Sequence, residues 1–383
     1  MPAHRLFLAF LRLGATAFGG PATVAYIGNR AVDKHRWLSQ ELFQDGVALC
    51  QSIPGATAMQ TAAYVGLRAG GPAGALAAFV GFGLPAFVLM IILSALYQKT
   101  QDLQPVIAAF RGLHLIVISL IANAAVNFGR SSIRNWRDLL LAAGAAVFLI
   151  LHGNPILAIA GAALLGLLIY QAADVPAAGP PASLPSQSRR RSWMPWTLIP
   201  LMAIGLAVLF VLSRQLFDLS AMMLKIDLFA FGGGFASVPL MLHEVVDVRH
   251  WLSAKTFMDG IALGQVTPGP IVITATFVGY QIAGLAGAVV GTVSIFSPSF
   301  FMVLATVPYL DRVQHNAAFR KTLRGVLASF VGLLAAVAVH FGMAVSWSIP
   351  SIAVAAAAFV ALRLKVDILW VVMAGGVVSV LCF

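Results

Sequence analysis

Charge is scarce in this chain, and acid is scarcer than base. Of 383 residues, 10% are Asp, Glu, Lys or Arg and 60% are hydrophobic. A soluble domain carries about 25% charge, so a globule covered for water is excluded. Only two cysteines are present, Cys50 and Cys382, at no metal or redox spacing. That rules out a disulfide framework. The eight histidines are scattered, without metal-ligand spacing. His243-Glu244-Val245-Val246-Asp247 has Asp where a zinc-protease helix requires its second His. Gly232-Gly233-Gly234 completes neither a dinucleotide-binding nor a phosphate-loop pattern. No convergent acid–base or nucleophilic set is visible, so neither an enzyme nor a cofactor or metal is expected. Alternation of period two is also missing, which excludes a membrane β-barrel.

What is present is apolar length. Runs of about 20 apolar residues, each long enough to span a bilayer, recur from end to end. The class is an all-α polytopic membrane protein. Candidate spans lie near 4–27, 45–68, 73–97, 105–128, 137–152 and 155–171. One span follows at 196–213, then 217–242, 257–283, 285–308, 323–343, 349–362 and 366–383. The total is about 13, with the short last pair of each half open to being re-entrant. His4 and Arg5 before an apolar run resemble a signal peptide, but Arg12 interrupts the run, and the segment reads as a retained first helix. Residues 172–195 are rich in Ala, Pro and Ser and contain Arg189-Arg190-Arg191, a solvated linker.

The two halves repeat. Phe18-Gly19-Gly20 recurs as Phe231-Gly232-Gly233, and Trp37-Leu38-Ser39 recurs as Trp251-Leu252-Ser253. Asp45-Gly46, Gln51 and Pro54-Gly55 recur as Asp259-Gly260, Gln265 and Pro268-Gly269. Further on, Arg111-Gly112 matches Arg324-Gly325. This divides the chain into a first repeat (1–171), a linker with a connecting span (172–215) and a second repeat (216–383). An odd connecting span inverts the second repeat relative to the first, an architecture found in secondary transporters. With the N-terminus in the cytoplasm, cytoplasmic segments hold fifteen Lys and Arg and outside segments five. That obeys the positive-inside rule. The Arg30–Arg36 loop, placed outside, is the one serious violation. The net charge of +11 therefore belongs to basic loops facing the cytoplasm, with no nucleic-acid partner expected.

Candidate site residues follow from the repeat. Arg12 and Lys225 each stand six residues before a Phe-Gly-Gly, inside apolar helices. A cation at mid-bilayer costs about 2.5–3.5 kcal/mol, so it needs a partner or a purpose. The two could form an anion site about a pseudo-two-fold axis. Equally, each could snorkel to an interface or pair with a carboxylate such as Asp227. Gly19, Gly20 and Pro21, and Gly232 and Gly233, should break their helices. Such breaks suit either free N–H groups for an oxyanion or close packing of small residues. Gln51, Pro54 and Gly55, and Gln265, Thr267, Pro268 and Gly269, form a second pair of breaks with neutral donors. These suit either a releasable anion or a structural kink. Asp45 and Asp259 open helices and read as caps. Asp227 and Glu244, which have no acidic match, could carry a coupling proton or balance Lys225.

The set Phe18-Gly19-Gly20-Pro21, Trp37-Leu38-Ser39, the stretch from Asp45-Gly46 to Gly55, and the second copy through Pro268-Gly269-Pro270 resembles the chromate ion transporter family. The resemblance is to its long, two-domain members with oppositely oriented halves. It implies proton-driven export of chromate across the plasma membrane, conferring resistance, with sulfate as the look-alike anion and a homodimer left open. Ala56 departs from the pattern, because the second copy has Pro270 there.

Overall fold

The computed structural model describes residues 1–18, 22–171, 194–309 and 316–382. Gly19, Gly20, Pro21 and most of the linker lie outside them. The described residues are helical, with no strand. The first half runs α1 (Ala3–Thr16), α2 (Ala22–Gly28), α3 (Gln40–Ser52), α4 (Thr57–Thr100), α5 (Gln104–Ser132), α6 (Trp136–Ile150) and α7 (Pro155–Ile169). α8 (Met194–Leu212) connects the halves. The second half runs α9 (Arg214–Phe229), α10 (Ser237–Leu242), α11 (Ala254–Val266), α12 (Thr274–Thr306), α13 (Ala317–Met343), α14 (Ile349–Arg363) and α15 (Ile368–Cys382). Four helical stretches are long and apolar enough to cross a membrane: Thr57–Thr100, Gln104–Ser132, Ile271–Tyr309 and Ala317–Met343.

The backbone repeats as the sequence does. π-helical turns occupy Asn29–Lys34 and His243–Val248. Left-handed residues recur in pairs: Arg36 with His250, Gly55 with Gly269, Gly71 with Gly284, and His152 with Lys365.

The candidate spans at 4–27, 45–68, 217–242 and 257–283 do not run straight through. The chain reverses inside each. Gly46 packs on the Tyr64 ring, and Tyr64 Oη donates to the Leu42 carbonyl at 3.0 Å. α3 and the start of α4 are therefore antiparallel arms of a hairpin whose tip is Ile53–Ala56. In the second copy Gly260 meets Phe277 and Gly264 meets Thr274, about a tip at Thr267–Pro270. Phe10 stacks on Trp37, and Lys225 pairs with Glu244, each across a Phe-Gly-Gly break. A second reversal follows at Gly70-Gly71, where Gly71 has φ 67°. There Gly66 and Gly74 touch backbone to backbone, as do Gly279 and Gly287 around Gly284. A side chain at any of these four contacts would collide with a carbonyl. The long α4 and α12 are thus each a short hairpin arm followed by a long return helix.

Packing interleaves the halves. α1 lies on α4 and α9 on α12, while α4 and α12 contact each other. α5 of the first half packs on α14 and α15 of the second; α13 packs on α6 and α7 of the first. Small residues permit the approach: Gly112 N–H donates to Ser379 Oγ at 2.8 Å, and Gly325 and Gly332 sit on the backbones of α7 and α6. With lipid tails as apolar as the side chains, such close backbone contact is what holds membrane helices together.

Candidate functional site

The two Pro-Gly tips meet the ends of α1 and α9 in the interior, tied across the halves. Gly55 N–H donates to the Ala230 carbonyl at 2.8 Å, and Gly269 N–H donates to the Ala17 carbonyl at 2.9 Å. Each Pro-Gly tip of one half thereby meets the end of the helix that precedes Phe-Gly-Gly in the other. The two bonds are equivalent under the sequence repeat. Ala17 and Ala230 end α1 and α9, so each bond satisfies a helix-terminal carbonyl that would otherwise be orphaned in an apolar interior. Gly55 (φ 121°) and Gly269 (φ 113°) hold conformations that other residues rarely adopt. These two N–H groups are occupied, so they are not open to an anion.

Side-chain caps are not universal: α1 and α5 start without one, away from the tips. Ser39, Asn135, Asn154, Ser213, Ser253, Asn316 and Ser348 each cap a helix through a side-chain oxygen. The helical segments starting at Thr57 and Ile271 have no side-chain cap. Their first-turn N–H groups carry the positive end of the helix dipole into the interior. Thr57 faces Gly233 of the other half, where a Cβ would stand 3.2 Å from Thr57 Oγ1. Gln265 and Thr267 are buried beside the second tip. Thr267 Oγ1 donates to the Gly264 carbonyl at 2.9 Å, while Gln265 Nε2 has no partner among the described residues. Its counterpart Gln51 is exposed.

The charged candidates separate. Lys225 forms an ion pair with Glu244, and Glu244 also lies 3.5 Å from Arg249 Nε. Glu244 is the balancing carboxylate, and Asp227 is not. Arg12 is exposed, with no side-chain ion pair among the described residues. Asp227 is 1% exposed, accepts from Ser299 Oγ at 2.7 Å on one oxygen, and has no partner on the other. Ala56 N–H donates to the same Ser299 Oγ at 2.8 Å. A chain of contacts therefore joins Asp227 of the second half to the Pro-Gly tip of the first. By the repeat, Gly14 and Ala86 stand where Asp227 and Ser299 do, so the chain exists on one side only.

Sequence reasoning missed Ser299 and Gln60, whose Nε2 donates to the Pro54 carbonyl at 2.5 Å. Neither has a polar counterpart in the other copy that could have flagged it. The capping role expected of Asp45 and Asp259 is overturned: Ser39 and Ser253 cap α3 and α11, and both aspartates lie in the second turn. Asp259 is instead bound by His114 Nε2 at 2.6 Å and Tyr97 Oη at 2.7 Å.

A family model described as chromate transporter matches the chain twice, over residues 4–167 and 217–380. The chain is 43% identical to an uncharacterized transporter of Methanocaldococcus jannaschii, over 97% of this chain and 92% of the relative. It is 31% identical to a chromate transport protein of Pseudomonas aeruginosa, over 100% of this chain and 93% of the relative. It is also 31% identical to a probable chromate transport protein of Synechococcus elongatus, over 87% and 83%. No solved structure matches. Two family matches that cover both repeats, in a helical chain of membrane-length apolar segments, show that this protein belongs to the chromate transporter family.

Proposed function

We propose that this protein moves chromate, a tetrahedral oxyanion, out of the cytoplasm by alternating access, coupled to the proton gradient, and so confers chromate resistance. The observation that carries the reading is the meeting of the two Pro-Gly tips with the ends of α1 and α9, locked half to half by Gly55–Ala230 and Gly269–Ala17. Irregular backbone in a bilayer is stable only where protein or a watery cavity satisfies it. Uncapped helix starts at Thr57 and Ile271, the free amide of Gln265 and the cations Arg12 and Lys225 make that place suited to a dianion. Gly232, Gly233, Gln51, Thr267, Gly55 and Gly269 are assigned to the same site, Gly55 and Gly269 by holding the tips; Gly19 and Gly20, outside the described residues, are assigned to it by the sequence repeat alone. Sulfate, with the same shape and charge, is the competing substrate.

Asp227 is the proposed proton carrier. It is buried, and its second oxygen has no partner among the described residues. Its link through Ser299 to Ala56 would transmit protonation to a tip.

The proposed orientation has a cytoplasmic N-terminus in the plasma membrane and a second repeat (216–383) inverted relative to the first (1–171), joined by the segment 172–215. With hairpins in place of straight spans, the Arg30–Arg36 loop returns to the cytoplasmic side while Arg249 and Lys255 move outside, so sixteen Lys and Arg face the cytoplasm and four the outside. Radiolabelled chromate flux in everted vesicles tests the reading. Gradient-dependent uptake, inhibited by sulfate and by an uncoupler, is expected. Uptake that ignores the uncoupler would instead indicate a passive anion channel.

A further inference from the structure

A cavity apart from the hairpin tips opens where α4 ends and α5 and α11 begin. It encloses about 600 Å³, and its wall includes Arg111, His114, Lys255, Asp259, Trp347 and Ser351. Its character emerges from comparison with the same place in the other half. There Arg324, the counterpart of Arg111, is clamped by Asp138. Arg324 Nε donates to Oδ1 at 2.9 Å and a terminal nitrogen to Oδ2 at 2.8 Å. The guanidinium also lies 4.5 Å from the Tyr170 ring centre. Asp138 is the third residue of α6, after the cap Asn135. The third residue of α14, after the cap Ser348, is Ser351. The two positions are equivalent in sequence and in capping geometry, and the carboxylate has been replaced by a hydroxyl.

Other changes push the same way. Lys255 stands where the other copy has Glu41, and His114 where it has Leu327. Asp259 makes no ion pair with Arg111 among the described residues; its oxygens meet His114 Nε2 and Tyr97 Oη instead. Among the described residues Arg111 has no hydrogen bond or ion pair. One half thus closes its arginine into a structural salt bridge, and the other leaves the equivalent arginine on the wall of an open cavity that a lysine also lines.

We infer that this cavity is a second anion site, a vestibule that holds an oxyanion between Arg111 and Lys255. The guanidinium offers a two-toothed donor face suited to a tetrahedral oxyanion, and the ammonium a point charge. The cationic character stands on geometry alone; the oxyanion class rests on the transport reading above.

Trp347 on the cavity wall provides the probe, since chromate absorbs where tryptophan emits. Purified protein in phosphatidylcholine nanodiscs is titrated with chromate, with Trp347→Phe identifying the share of quenching that belongs to this wall. Quenching of Trp347 that sulfate reverses is expected. Ser351→Asp should rebuild the clamp that Asp138 forms and weaken binding about ten-fold or more, as should Arg111→Gln. Ser351→Asn, of the same shape without the charge, should bind as the parent does. Parent-like binding by Ser351→Asp, or equal loss in Ser351→Asn, would overturn the site. So would a parent protein whose Trp347 is never quenched. Quenching that anionic lipid abolishes and sulfate does not would assign the cavity to a headgroup, against the proposal. Intact Trp347 quenching with no flux in everted vesicles would sink the transport reading and leave this site standing.

Discussion

Arg12 and Lys225 stand at equivalent positions, yet they live in different electrostatic surroundings. Lys225 shares Glu244 with Arg249, so removing it leaves a carboxylate that still has a cation nearby. Arg12 has no such partner among the described residues. Arg12→Ala should therefore lower chromate flux in everted vesicles more than Lys225→Ala, while both variants reach the membrane. Equal, undiminished flux in both would remove the cations from the site. Asp227 differs again, because its charge is unbalanced and its counterpart is Gly14. Asp227→Asn keeps the acceptor for Ser299 but cannot release a proton. It should preserve chromate binding and abolish the response of flux to an uncoupler; an unchanged response would clear Asp227 of coupling. The near-symmetric cations were legible in the sequence. Their partners were not, because Lys225 and Glu244 are brought together only by a reversal of the chain.

At the scale of elements, the hairpin tip is the unit to perturb. Gly55→Ala forces a side chain into a left-handed conformation at a cost of about 1–3 kcal/mol. Its Cβ also collides with Ser299 Oγ and comes within 2.6 Å of Gln60 Nε2. Gly269→Ala bears similar strain but meets only the Ala86 methyl, at 3.1 Å. Melting of the purified protein should show both variants destabilised and Gly55→Ala the more so. The reverse order would contradict the packing at the tips. The breaks themselves were legible, since paired glycines and Pro-Gly cannot continue an apolar helix. Whether a break is a kink or a reversal was not. Hydropathy is the same for 24 apolar residues laid straight or folded back, and only contacts such as Gly46 on Tyr64 distinguish the two.

For the whole molecule, the hairpins reassign loops to sides. Lys34 and Val248 are equivalent, exposed positions that the proposed topology places on opposite faces of the membrane, Lys34 in the cytoplasm. In a background with Cys50 and Cys382 replaced by alanine, Val248→Cys should react with an impermeant maleimide on intact cells. Lys34→Cys should react only after permeabilisation. The opposite pattern would restore straight spans through 4–27 and 217–242. The interleaving of α5 with α14 and α15, and of α13 with α6 and α7, also means that neither repeat can bury its own long helix alone. Either half expressed without the other should therefore show no chromate flux in everted vesicles; flux from one half alone would contradict the interleaved packing.

By itself, the sequence determined that this is a helical membrane protein built from two copies of one unit, and where each copy must interrupt its helices. Those properties are local: apolar run length, glycine and proline at fixed spacing, and likeness between segments. Tertiary structure decided that the interruptions are tips, that each tip bonds to the other copy, and which acid answers which cation. It also decided that the arginine pair has one closed member and one open one. Those outcomes depend on which surfaces meet between distant parts of the chain, as Gly55 meets Ala230 and Gly269 meets Ala17. No local pattern records such a meeting, because the same residues would satisfy their backbone equally well against any surface that offered a carbonyl at the right place.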